Sequence, residues 1–230
     1  MTEPDPNQDM VLRPLSDNPV VGLLGGTGEQ GLGLAYRWSA AGVPVLIGSR
    51  VAERAVEAAQ ELPGSVTGDS NQAVAAKCEI AVIAVPWAGH ADLIAPLASE
   101  LAGKIVIDCV NPLGFDKRGA FALAVPEGSA AEQAQHLLPQ SAVVGAFHNV
   151  SSVLLRDESL HEVATDTLVL GDVRAATDAV QHLAARIPGM RGIFGGRLRN
   201  SSQIEALTAN LISINRRYKA HAGIRITDVS

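Results

Sequence analysis

The feature that most constrains the fold of this sequence is a glycine-rich turn that directly follows an apolar run. The run VVGLLG covers residues 20–25, and the turn continues as Gly26-x-Gly28-x-x-Gly31 into a stretch with a helical pattern. In such turns the first Gly permits a tight bend, the second lets a pyrophosphate approach the main chain, and the third lets helix and strand pack closely. The N-terminus of the helix offers unpaired amides to the same anion. The motif therefore predicts a strand–turn–helix unit that binds a dinucleotide.

Residues 20–111 repeat the pattern of this first unit. Short apolar runs alternate with helical stretches, which predicts a parallel sheet built from βαβ units. The runs EIAVIAVP and KIVIDCV are typical of strands that are covered on both faces. The predicted strands cover 20–25, 43–49, 65–68, 79–86 and 104–110, and the predicted helices between them cover 31–41, 52–62 and 91–101.

The second half of the chain extends this alternation. A loop is predicted at 113–121, helices at 129–138 and 175–187, and strands at 141–147, 167–172 and 190–196. We therefore expect an α/β fold, a Rossmann-type doubly wound, mostly parallel sheet with a small C-terminal helical part. The expected domains are a disordered N-terminal tail at 1–18, a dinucleotide-binding Rossmann domain at 19–150, and a C-terminal part at 151–230 that completes the sheet.

The last predicted helix carries a long uncharged stretch. Ser201 and Ser202 can cap its start, and Gly223 is expected to close it. No charged residue lies between positions 206 and 215. This stretch is too apolar to face water, so the helix is expected to pack in the core or against a second subunit. Its apolar residues recur at spacings of three and four, namely Ile204, Leu207, Leu211, Ile214 and Tyr218.

The end of the second predicted strand indicates which dinucleotide the turn binds. A fold of this type that binds NAD places Asp or Glu there, about 20 residues past the glycine motif, to hold the ribose hydroxyls. This sequence instead has Ser49 and Arg50, with Arg54 one helical turn later. A hydroxyl and two guanidinium groups suit a 2′-phosphate, which they would hold by charge-assisted hydrogen bonds. The alternative is that both arginines are ordinary surface residues; we favour NADP(H) over NAD.

The charge of the chain is unevenly distributed. The formal net charge is −6, which argues against a general nucleic-acid binder. Residues 186–225 nevertheless hold eight basic side chains against one acid, Glu205. Either this segment is a solvated face, or it helps to hold an anionic ligand. The basic residues are Arg186, Arg191, Arg197, Arg199, Arg216, Arg217, Lys219 and Arg225.

Composition and the N-terminus favour a cytoplasmic protein without a metal. Of the 230 residues 47% are hydrophobic, yet no apolar run approaches the roughly 20 residues of a membrane span. The first ten residues are acidic and rich in Pro, so neither a signal peptide nor a transit peptide is expected. Cys78 and Cys109 lack metal-ligand spacing and are expected to be free thiols.

The carboxyl ends of the predicted strands should form the ligand site, and few acid–base groups lie there. His148, within AFHNVSS at 146–152, is the one good candidate for a proton donor, and a structural role is an equal alternative. The other histidines, including His90, are interpreted as helix-surface or loop residues. A Tyr followed four residues later by Lys, as in short-chain alcohol dehydrogenases, is absent. Such a site suits hydride transfer between two ring cofactors, which depends on stacking and distance.

Six segments together resemble a known family. LLGGTG, IGSR, VPW, GFDKRG, AFHNVS and GRLRNSSQIEALTANLISINRRYKAHAGIR resemble the NADPH-dependent reductases of coenzyme F420, the 8-hydroxy-5-deazaflavin, and in particular their actinobacterial branch. The similarity runs from about Val20 to Val229. This family transfers a hydride between NADPH and the deazaflavin without metal or flavin, usually as a homodimer. The resemblance implies NADP(H) and F420 as ligands, no nucleic-acid or membrane partner, and a homodimer formed through the C-terminal helix.

The resemblance also implies roles for individual residues. The glycine turn, Gly26, Thr27, Gly28, Glu29, Gln30 and Gly31, would hold phosphate, and Ser49, Arg50 and Arg54 would hold the 2′-phosphate. Val85, Pro86, Trp87, Val110 and Asn111 would line the nicotinamide half. His148, Asn149, Val150 and Ser152, with Ala222 in the C-terminal part, would place the deazaflavin. Independently of the resemblance, the uneven charge makes Arg197, Arg199, Arg216 and Arg217 our candidates for attracting the anionic tail of the deazaflavin.

Two other functions remain open from the sequence. An NADP-dependent reductase of an imine or a metal chelate could use the same scaffold, and so could a non-catalytic NADP(H) sensor. The first would need a proton donor or metal ligands in the cleft, where the sequence offers little beyond His148. The second would not need the segment at 146–152 or the basic C-terminal third.

Overall fold

An eight-stranded sheet forms the centre of the fold in the computed structural model, which describes residues 10–229. The strands of the sheet are β1 (Val21–Leu24), β2 (Val45–Ser49), β3 (Val66–Ser70), β4 (Ile80–Ile83), β5 (Ile105–Asp108), β8 (Ala142–Gly145), β9 (Asp166–Gly171) and β10 (Arg191–Gly196), while β6 (Leu113–Asp116) and β7 (Gly119–Ala122) form a separate hairpin. Across the sheet the order is β10-β9-β8-β5-β4-β1-β2-β3, and neighbours are parallel except β8 and β9. The predicted Rossmann-type, mostly parallel sheet is confirmed.

Helices cover both faces of this sheet and bury two apolar clusters. The helices are α1 (Glu29–Ala40), α2 (Ala52–Gln60), α3 (Asn71–Lys77), α4 (His90–Ile94), α5 (Ala98–Leu101), α6 (Ala130–Leu137), α7 (Ser152–Arg156), α8 (Arg174–Ala185) and α9 (Ser201–Tyr218). One cluster packs α1, α2, α7 and α8 against one face of the sheet. The other packs the four helices α3, α4, α5 and α6 against the opposite face. Because both faces are covered, β4 and β5 are buried along their whole length, as their apolar runs predicted.

The position of β1 locates the ligand-binding edge. It lies between β2 and β4, with Val21 paired to Val45 on one side and to Ile80 on the other. The chain winds outward from β1 in both directions, so this is the point where the strand order reverses. Ligands of open parallel sheets bind at the carboxyl ends of the strands at such a point.

Three helical segments differ from the prediction, and one of them is α7, a short helix at Ser152–Arg156 where none was predicted. A second is α3, which was not predicted; it begins at Asn71 and is capped by the Ser70 hydroxyl. The helix predicted at 91–101 is divided into α4 and α5 by a 3₁₀ turn at Ala95–Leu97 that contains Pro96. Pro has no amide to donate and cannot continue an α-helix, which explains the division.

The segment predicted as a loop at 113–121 is instead the hairpin of β6 and β7. Asp116 pairs with Gly119 across a tight turn, in which the Asp116 side chain accepts a hydrogen bond from the Arg118 amide at 2.7 Å. The positive φ of Gly119, 125°, fits a tight turn of this kind. The hairpin contacts α9 through β7.

The end of α9 was also predicted incorrectly. The helix ends at Tyr218, and the following Lys219 has the left-handed conformation with φ 52°. Gly223 does not close it; a Cβ at Gly223 would lie 2.3 Å from the Thr165 hydroxyl oxygen, so this glycine is needed for close packing against β9. Ser201 and Ser202 lie in the first turn, and the N-cap is Asn200, which makes no side-chain capping bond.

The described residues that precede β1 pack against the domain. Part of the tail predicted to be disordered, residues 1–9, lies outside the described residues. Within the rest, the Arg13 amide donates to the Gly103 carbonyl at 2.7 Å, and the Ser16 hydroxyl donates to Glu79 at 2.9 Å. Between residues 10 and 229, no helix combines the length and apolarity that crossing a bilayer requires.

Candidate active site

The glycine turn connects β1 to α1 at the carboxyl edge of the sheet. The Asn71 side chain accepts a hydrogen bond from the Gly25 amide at 2.9 Å, and the Gly26 amide donates to the Gly48 carbonyl at 3.0 Å. A Cβ added at Gly31 would lie 2.6 Å from the Gly26 Cα, so only glycine lets the turn and the helix pack this closely. The turn is thus held by α3 on one side and by β2 on the other.

Gly28 has a different environment from the other two glycines of the motif. A Cβ added there would meet no protein atom within 4 Å, and its dihedral angles, φ −85° and ψ 168°, are accessible to any residue. Gly28 is the N-cap of α1, and no side chain caps this helix. The amides of its first turn can therefore bind an anion. Open space over Gly28 and available amides fit a pyrophosphate.

The predicted 2′-phosphate residues lie at the end of β2, beside this turn. Ser49 is buried, and its hydroxyl accepts a hydrogen bond from the Val51 amide at 3.2 Å. Arg50 and Arg54 are exposed. Because β2 is the direct neighbour of β1, these side chains lie at the same edge of the sheet as the glycine turn.

A cavity of about 480 Å³ opens beside the N-terminus of α1. Most of the site residues predicted from the sequence line it, which brings five separate segments of the chain together. They are Gly28, Glu29, Gln30, Val85, Pro86, Trp87, Val110, Asn111, His148, Asn149, Val150, Ser152 and Ala222. The predicted residues that do not line it are Gly26, Thr27, Gly31, Ser49, Arg50 and Arg54.

A strained turn directs residues 148–150 into this cavity. Phe147 is fully buried and has φ 63°, a left-handed conformation that costs a bulky residue about 1–2 kcal/mol. It is held there because its amide donates to the Thr167 hydroxyl at 2.7 Å and its ring packs edge-on against Trp38. The turn reverses the chain after β8 and places His148 at the cavity wall.

His148 is neutral in this environment. Burial lowers the pKa of the imidazole to about 4, against the smaller opposing effect of the Asp108 carboxylate. Its carbonyl accepts hydrogen bonds from the Asn111 amide group at 3.1 Å and the Thr208 hydroxyl at 2.9 Å. The main chain of His148 thus joins the β5 side of the cavity to α9, while the neutral ring is unsuited to donate a proton as a cation.

Buried polar atoms without a partner cluster at the cavity. Neither ring nitrogen of His148 has a hydrogen-bond partner among residues 10–229, nor do Asn111 Oδ1, Asn149 Oδ1 and the Ser201 hydroxyl. Such an atom costs about 1–3 kcal/mol when it remains unpaired, and few occur in a typical protein. The two amide oxygens belong to residues that line the cavity, so a ligand with N–H or O–H groups that reached them would satisfy them.

His90 was misinterpreted as a surface residue. It is fully buried between Asp108 and Gln133, with Nε2 2.6 Å from a carboxylate oxygen and Nδ1 2.9 Å from an amide oxygen. Burial alone would lower its pKa, but the hydrogen bond and the charge of Asp108 outweigh burial and raise the pKa. The ring also lies against Trp87, with centroids 5.4 Å apart. The other oxygen of Asp108 accepts the Val110 amide at 2.9 Å, so one ion pair holds two cavity walls.

The cavity also receives side chains from α9 that the sequence analysis did not assign to it. Leu211 was predicted to face the core or a second subunit, and in this chain it is buried at the cavity. The amide of Ala222 donates to the Asn215 side chain at 2.6 Å, which folds the residues after α9 back towards the cavity. The helix residues concerned are Thr208, Leu211, Ile212 and Asn215. Their spacing of three and four was visible, but the surface they face was not.

Glu205 connects α9 to α6 from inside the protein. Its carboxylate accepts the Ala130 and Ala131 amides at 3.0 and 3.2 Å, so it caps α6 from another helix. Burial raises the pKa of Glu205 to about 7, and nearby Asp108 adds to this shift. The one acid of the basic segment is therefore internal.

Asp166 anchors the residues after α9. This fully buried carboxylate pairs with Arg191 at 2.7 Å and with Arg225 at 2.9 Å, and it accepts the Ile226 amide at 2.7 Å. These bonds hold the pKa of Asp166 far below its usual range. Its carbonyl accepts the Asn149 side-chain amide at 2.7 Å. Asp166 therefore supports both the 148–152 segment and the C-terminal segment that carries Ala222.

The cysteines and possible metal ligands add no reactive group. Both cysteines are free and buried, and burial raises the pKa of the Cys78 thiol to about 11 and that of the Cys109 thiol further. Cys109 borders the cavity and donates to the Ile83 carbonyl. In the part of the chain that is described, no group of three or more His, Cys, Asp or Glu could hold a metal ion.

Comparisons with known proteins show the family of this chain. A family model described as NADP oxidoreductase coenzyme F420-dependent matches residues 20–112. The F420-dependent NADP reductase of Methanothermobacter thermautotrophicus is 38% identical over 221 residues, which cover 91% of this chain and 95% of the relative. The enzyme of the same name from Methanocaldococcus jannaschii is 37% identical, with 91% and 98% covered. A crystal structure of a candidate F420-dependent NADP reductase from Arthrobacter sp. FB24 superposes with a TM-score of 0.74 at 26% identity, over 91% of this chain and 99% of that one.

Proposed function

The chain belongs to the family of F420-dependent NADP reductases, and we propose that its cavity holds NADP(H) and the deazaflavin of coenzyme F420 against each other. When bound, these two molecules supply the chemistry, the reversible transfer of a hydride between a nicotinamide and a deazaflavin ring. The protein is accordingly an NADP-dependent F420 reductase. The observation that carries the assignment is the single cavity that joins the N-terminus of α1 to the 148–152 segment and α9.

The glycine turn and the end of β2 bind the phosphates of NADP(H). Thr27, Gly28, Glu29 and Gln30 present the first amides of α1 to the pyrophosphate, and the uncrowded Cα of Gly28 lets it come close. Gly26 and Gly31 keep the turn tight. The 2′-phosphate is bound by the side chains after β2, Ser49, Arg50 and Arg54, because guanidinium groups form charge-assisted hydrogen bonds to phosphate.

The nicotinamide lies against the walls formed after β4 and β5. Val85, Pro86, Trp87 and Val110 supply apolar contact on these walls. Asn111, whose side-chain oxygen is unpaired, would offer a hydrogen-bond acceptor to the carboxamide group. The ion pair of His90 with Asp108 fixes the positions of Trp87 and the Val110 main chain.

The deazaflavin lies against the opposite wall. His148, Asn149, Val150 and Ser152 form one side of its site, and Ala222 with the cavity-facing residues of α9 forms the other. Asn149 Oδ1 can accept a hydrogen bond from an N–H of the ring, since it is buried and unpaired. The role of these residues is positional: they hold the two rings at reacting distance and exclude water, and neutral His148 does not act as a cationic acid.

The active form is proposed to be a cytoplasmic homodimer that associates through α9. Its support is the outward face of this helix, where Ile214 is 41% exposed and Tyr218 is 73% exposed. Exposed apolar side chains at this density often mark contact surfaces. The cytoplasm is where NADP(H) and a deazaflavin cofactor would both be available. Replacing Tyr218 with Glu should lower the mass measured by light scattering to that of one chain, and an unchanged mass would place the contact elsewhere.

The function is tested by mixing the protein with NADPH and oxidised deazaflavin and following the visible absorbance of the deazaflavin. Bleaching at a rate proportional to protein concentration is expected. An imine or metal-chelate reductase, or a sensor, would leave the deazaflavin absorbance unchanged.

Two glycine variants connect this activity to the proposed NADP(H) site. Gly28→Ala adds a methyl group where no protein atom lies within 4 Å, so the fold should retain its stability while the Michaelis constant for NADPH rises. Gly31→Ala places its methyl group 2.6 Å from Gly26 and should lower the melting temperature instead. If Gly28→Ala left the Michaelis constant for NADPH unchanged, the pyrophosphate would not lie over this turn.

A further inference from the structure

A second cavity adjoins the first, and three arginines line it. It has a volume of about 590 Å³ and lies between the β6–β7 hairpin and the C-terminal half of α9. Arg118 comes from the hairpin, and Arg216 and Arg217 come from the helix. One acid, Asp116, also lines it, and this residue pairs with Arg118 at a long distance of 3.4 Å. The cavity therefore has an excess of positive charge.

Two observations place the cavities next to each other. Ile212 lines both of them, so they share one position on α9. The hairpin begins at Leu113, two residues after Asn111, which lines the first cavity. A ligand whose ring occupies the first cavity would therefore have the second cavity as its direct neighbour along α9.

Four other basic residues of the C-terminal segment, Arg186, Arg191, Arg197 and Arg225, have structural partners. Arg186 donates to the Ala41 carbonyl at 2.8 Å. Arg191 and Arg225 bind the buried carboxylate of Asp166, and Arg197 pairs with Asp172 at 3.7 Å. No ion pair of Arg216 or Arg217 occurs in the described part of the chain. Among the arginines expected from the sequence to attract an anion, the geometry favours these two and does not favour Arg197.

We propose that this second cavity binds the anionic tail of coenzyme F420, its phosphodiester and glutamyl carboxylates, through Arg118, Arg216 and Arg217. This inference rests on the proposed function, because the deazaflavin ring must occupy the adjoining cavity. Guanidinium groups bind phosphate and carboxylate through paired hydrogen bonds, and three of them match a ligand that carries several negative charges. The three side chains are open to solvent, so this attraction is screened by salt.

The test compares the full coenzyme with the tail-free 8-hydroxy-5-deazaflavin that carries only a ribityl chain. The variant Arg216→Gln/Arg217→Gln, with and without Arg118→Gln, should raise the Michaelis constant for the full coenzyme by about three- to tenfold, as expected for a few exposed charge pairs. The constant for the tail-free compound should not change. Raising the NaCl concentration should weaken the binding of the full coenzyme to the unmodified protein. It should weaken binding to the triple variant less. Arg174→Gln, an exposed arginine on α8, is the matched control.

Three results would overturn the inference. An unchanged Michaelis constant for the full coenzyme would show that the tail lies elsewhere, and an equal rise for both compounds would show that the arginines act on the ring or the fold. A change from dimer to monomer in the variants, measured by light scattering, would assign the arginines to an interface between copies of the chain. Failure of the proposed function has a distinct signature, because the unmodified protein would then bleach neither compound.

Discussion

The two walls of the cavity are built on different physical principles. The NADP(H) side is made of main-chain amides and glycines within one strand–turn–helix unit, and its neighbours β2 and α3 hold it through main-chain and Asn71 contacts. The deazaflavin side collects side chains from the turn after β8, from α9 and from the C-terminal segment. The first wall depends on local backbone geometry, whereas the second depends on tertiary contacts.

The two walls also differ in how their polar groups are satisfied. The buried atoms without a partner, at Asn111, His148, Asn149 and Ser201, lie on or next to the second wall or at its junction with β5. The strained φ of Phe147 lies there too. A preformed phosphate site and a ring site that contains unpaired groups and strain respond differently to mutation. Apart from the closely packed Gly26 and Gly31, changes at the first should act on one ligand alone, while changes at the second should affect ligand binding and stability together.

The largest expected effect is at the NADP(H) wall. Replacing Arg50 and Arg54 together with Ala removes two charge-assisted hydrogen bonds to the 2′-phosphate, each worth about 1.5–3 kcal/mol. Even at the lower limit the dissociation constant for NADPH should rise roughly a hundredfold. The affinity for NADH, which has no 2′-phosphate, should stay nearly constant, and both can be measured by fluorescence titration. Arg174→Ala is a control with similar exposure.

If the double variant binds NADPH as tightly as the unmodified protein, the 2′-phosphate is held by other residues. This result would also remove the contrast between the two walls, because the residues beside the glycine turn would then not determine the preference of the first wall for NADPH.

The next effect concerns stability on the deazaflavin side and depends on pH. The folded protein raises the pKa of Glu205 to about 7, from an ordinary value of 4.5. The folded state therefore binds this proton more tightly, and the group's contribution to the free energy of unfolding falls as the pH rises from about 4.5 to 7, by up to about 3 kcal/mol. At pH 4.5 the free energy of unfolding of Glu205→Gln should be close to that of the unmodified protein. Towards pH 8 the variant should become increasingly more stable than the unmodified protein.

Urea titrations at several pH values measure this difference. Glu57→Gln, an exposed position on α2, is the matched control variant. A constant difference for Glu205→Gln would mean that the carboxyl group ionises normally in the fold, so the second wall would be less isolated from water than its burial indicates.

The same contrast explains which parts of the structure could be predicted from the sequence. The glycine spacing, the apolar strands and Ser49-Arg50 are local patterns, and local patterns determine the first wall. The ion pair of His90 with Asp108 could not be predicted, because its partners lie in different βαβ units and neither has a periodic signal. The charged Asp108 within KIVIDCV was the available clue, since a buried carboxylate needs a partner. The hairpin was missed because Gly114 and Gly119 weaken its strand pattern.

A tenfold effect is expected where the two walls meet, at His90. Replacing it with Gln preserves a hydrogen-bonding group for Asp108 and removes the ring that packs on Trp87. The rate of hydride transfer should fall about tenfold, because the nicotinamide wall loses its fixed position, with a smaller change in the Michaelis constant for NADPH. Stopped-flow absorbance measures this rate.

A purely structural role of His90 is distinguished by fluorescence quenching. Trp38 is fully buried and Trp87 is partly exposed, so acrylamide reports mainly on Trp87. If His90 positions Trp87, acrylamide quenching should increase in the variant. The pH dependence of the hydride-transfer rate should change as well. A lower melting temperature with unchanged quenching and an unchanged pH profile would contradict this positioning role.

The smallest effect is expected at His148, although it is the residue that most resembles a catalyst. Its pKa of about 4 makes it neutral at physiological pH, and its known contacts are made by its carbonyl, which any residue retains. His148→Asn should therefore lower the single-turnover rate of hydride transfer only a few-fold, and part of the loss should be weaker deazaflavin binding. Because Asn does not titrate, the pH profile between 5 and 8 should match that of the unmodified protein. Complete loss of transfer with intact binding would require His148 to donate a proton, and the deazaflavin wall would then be catalytic rather than positional.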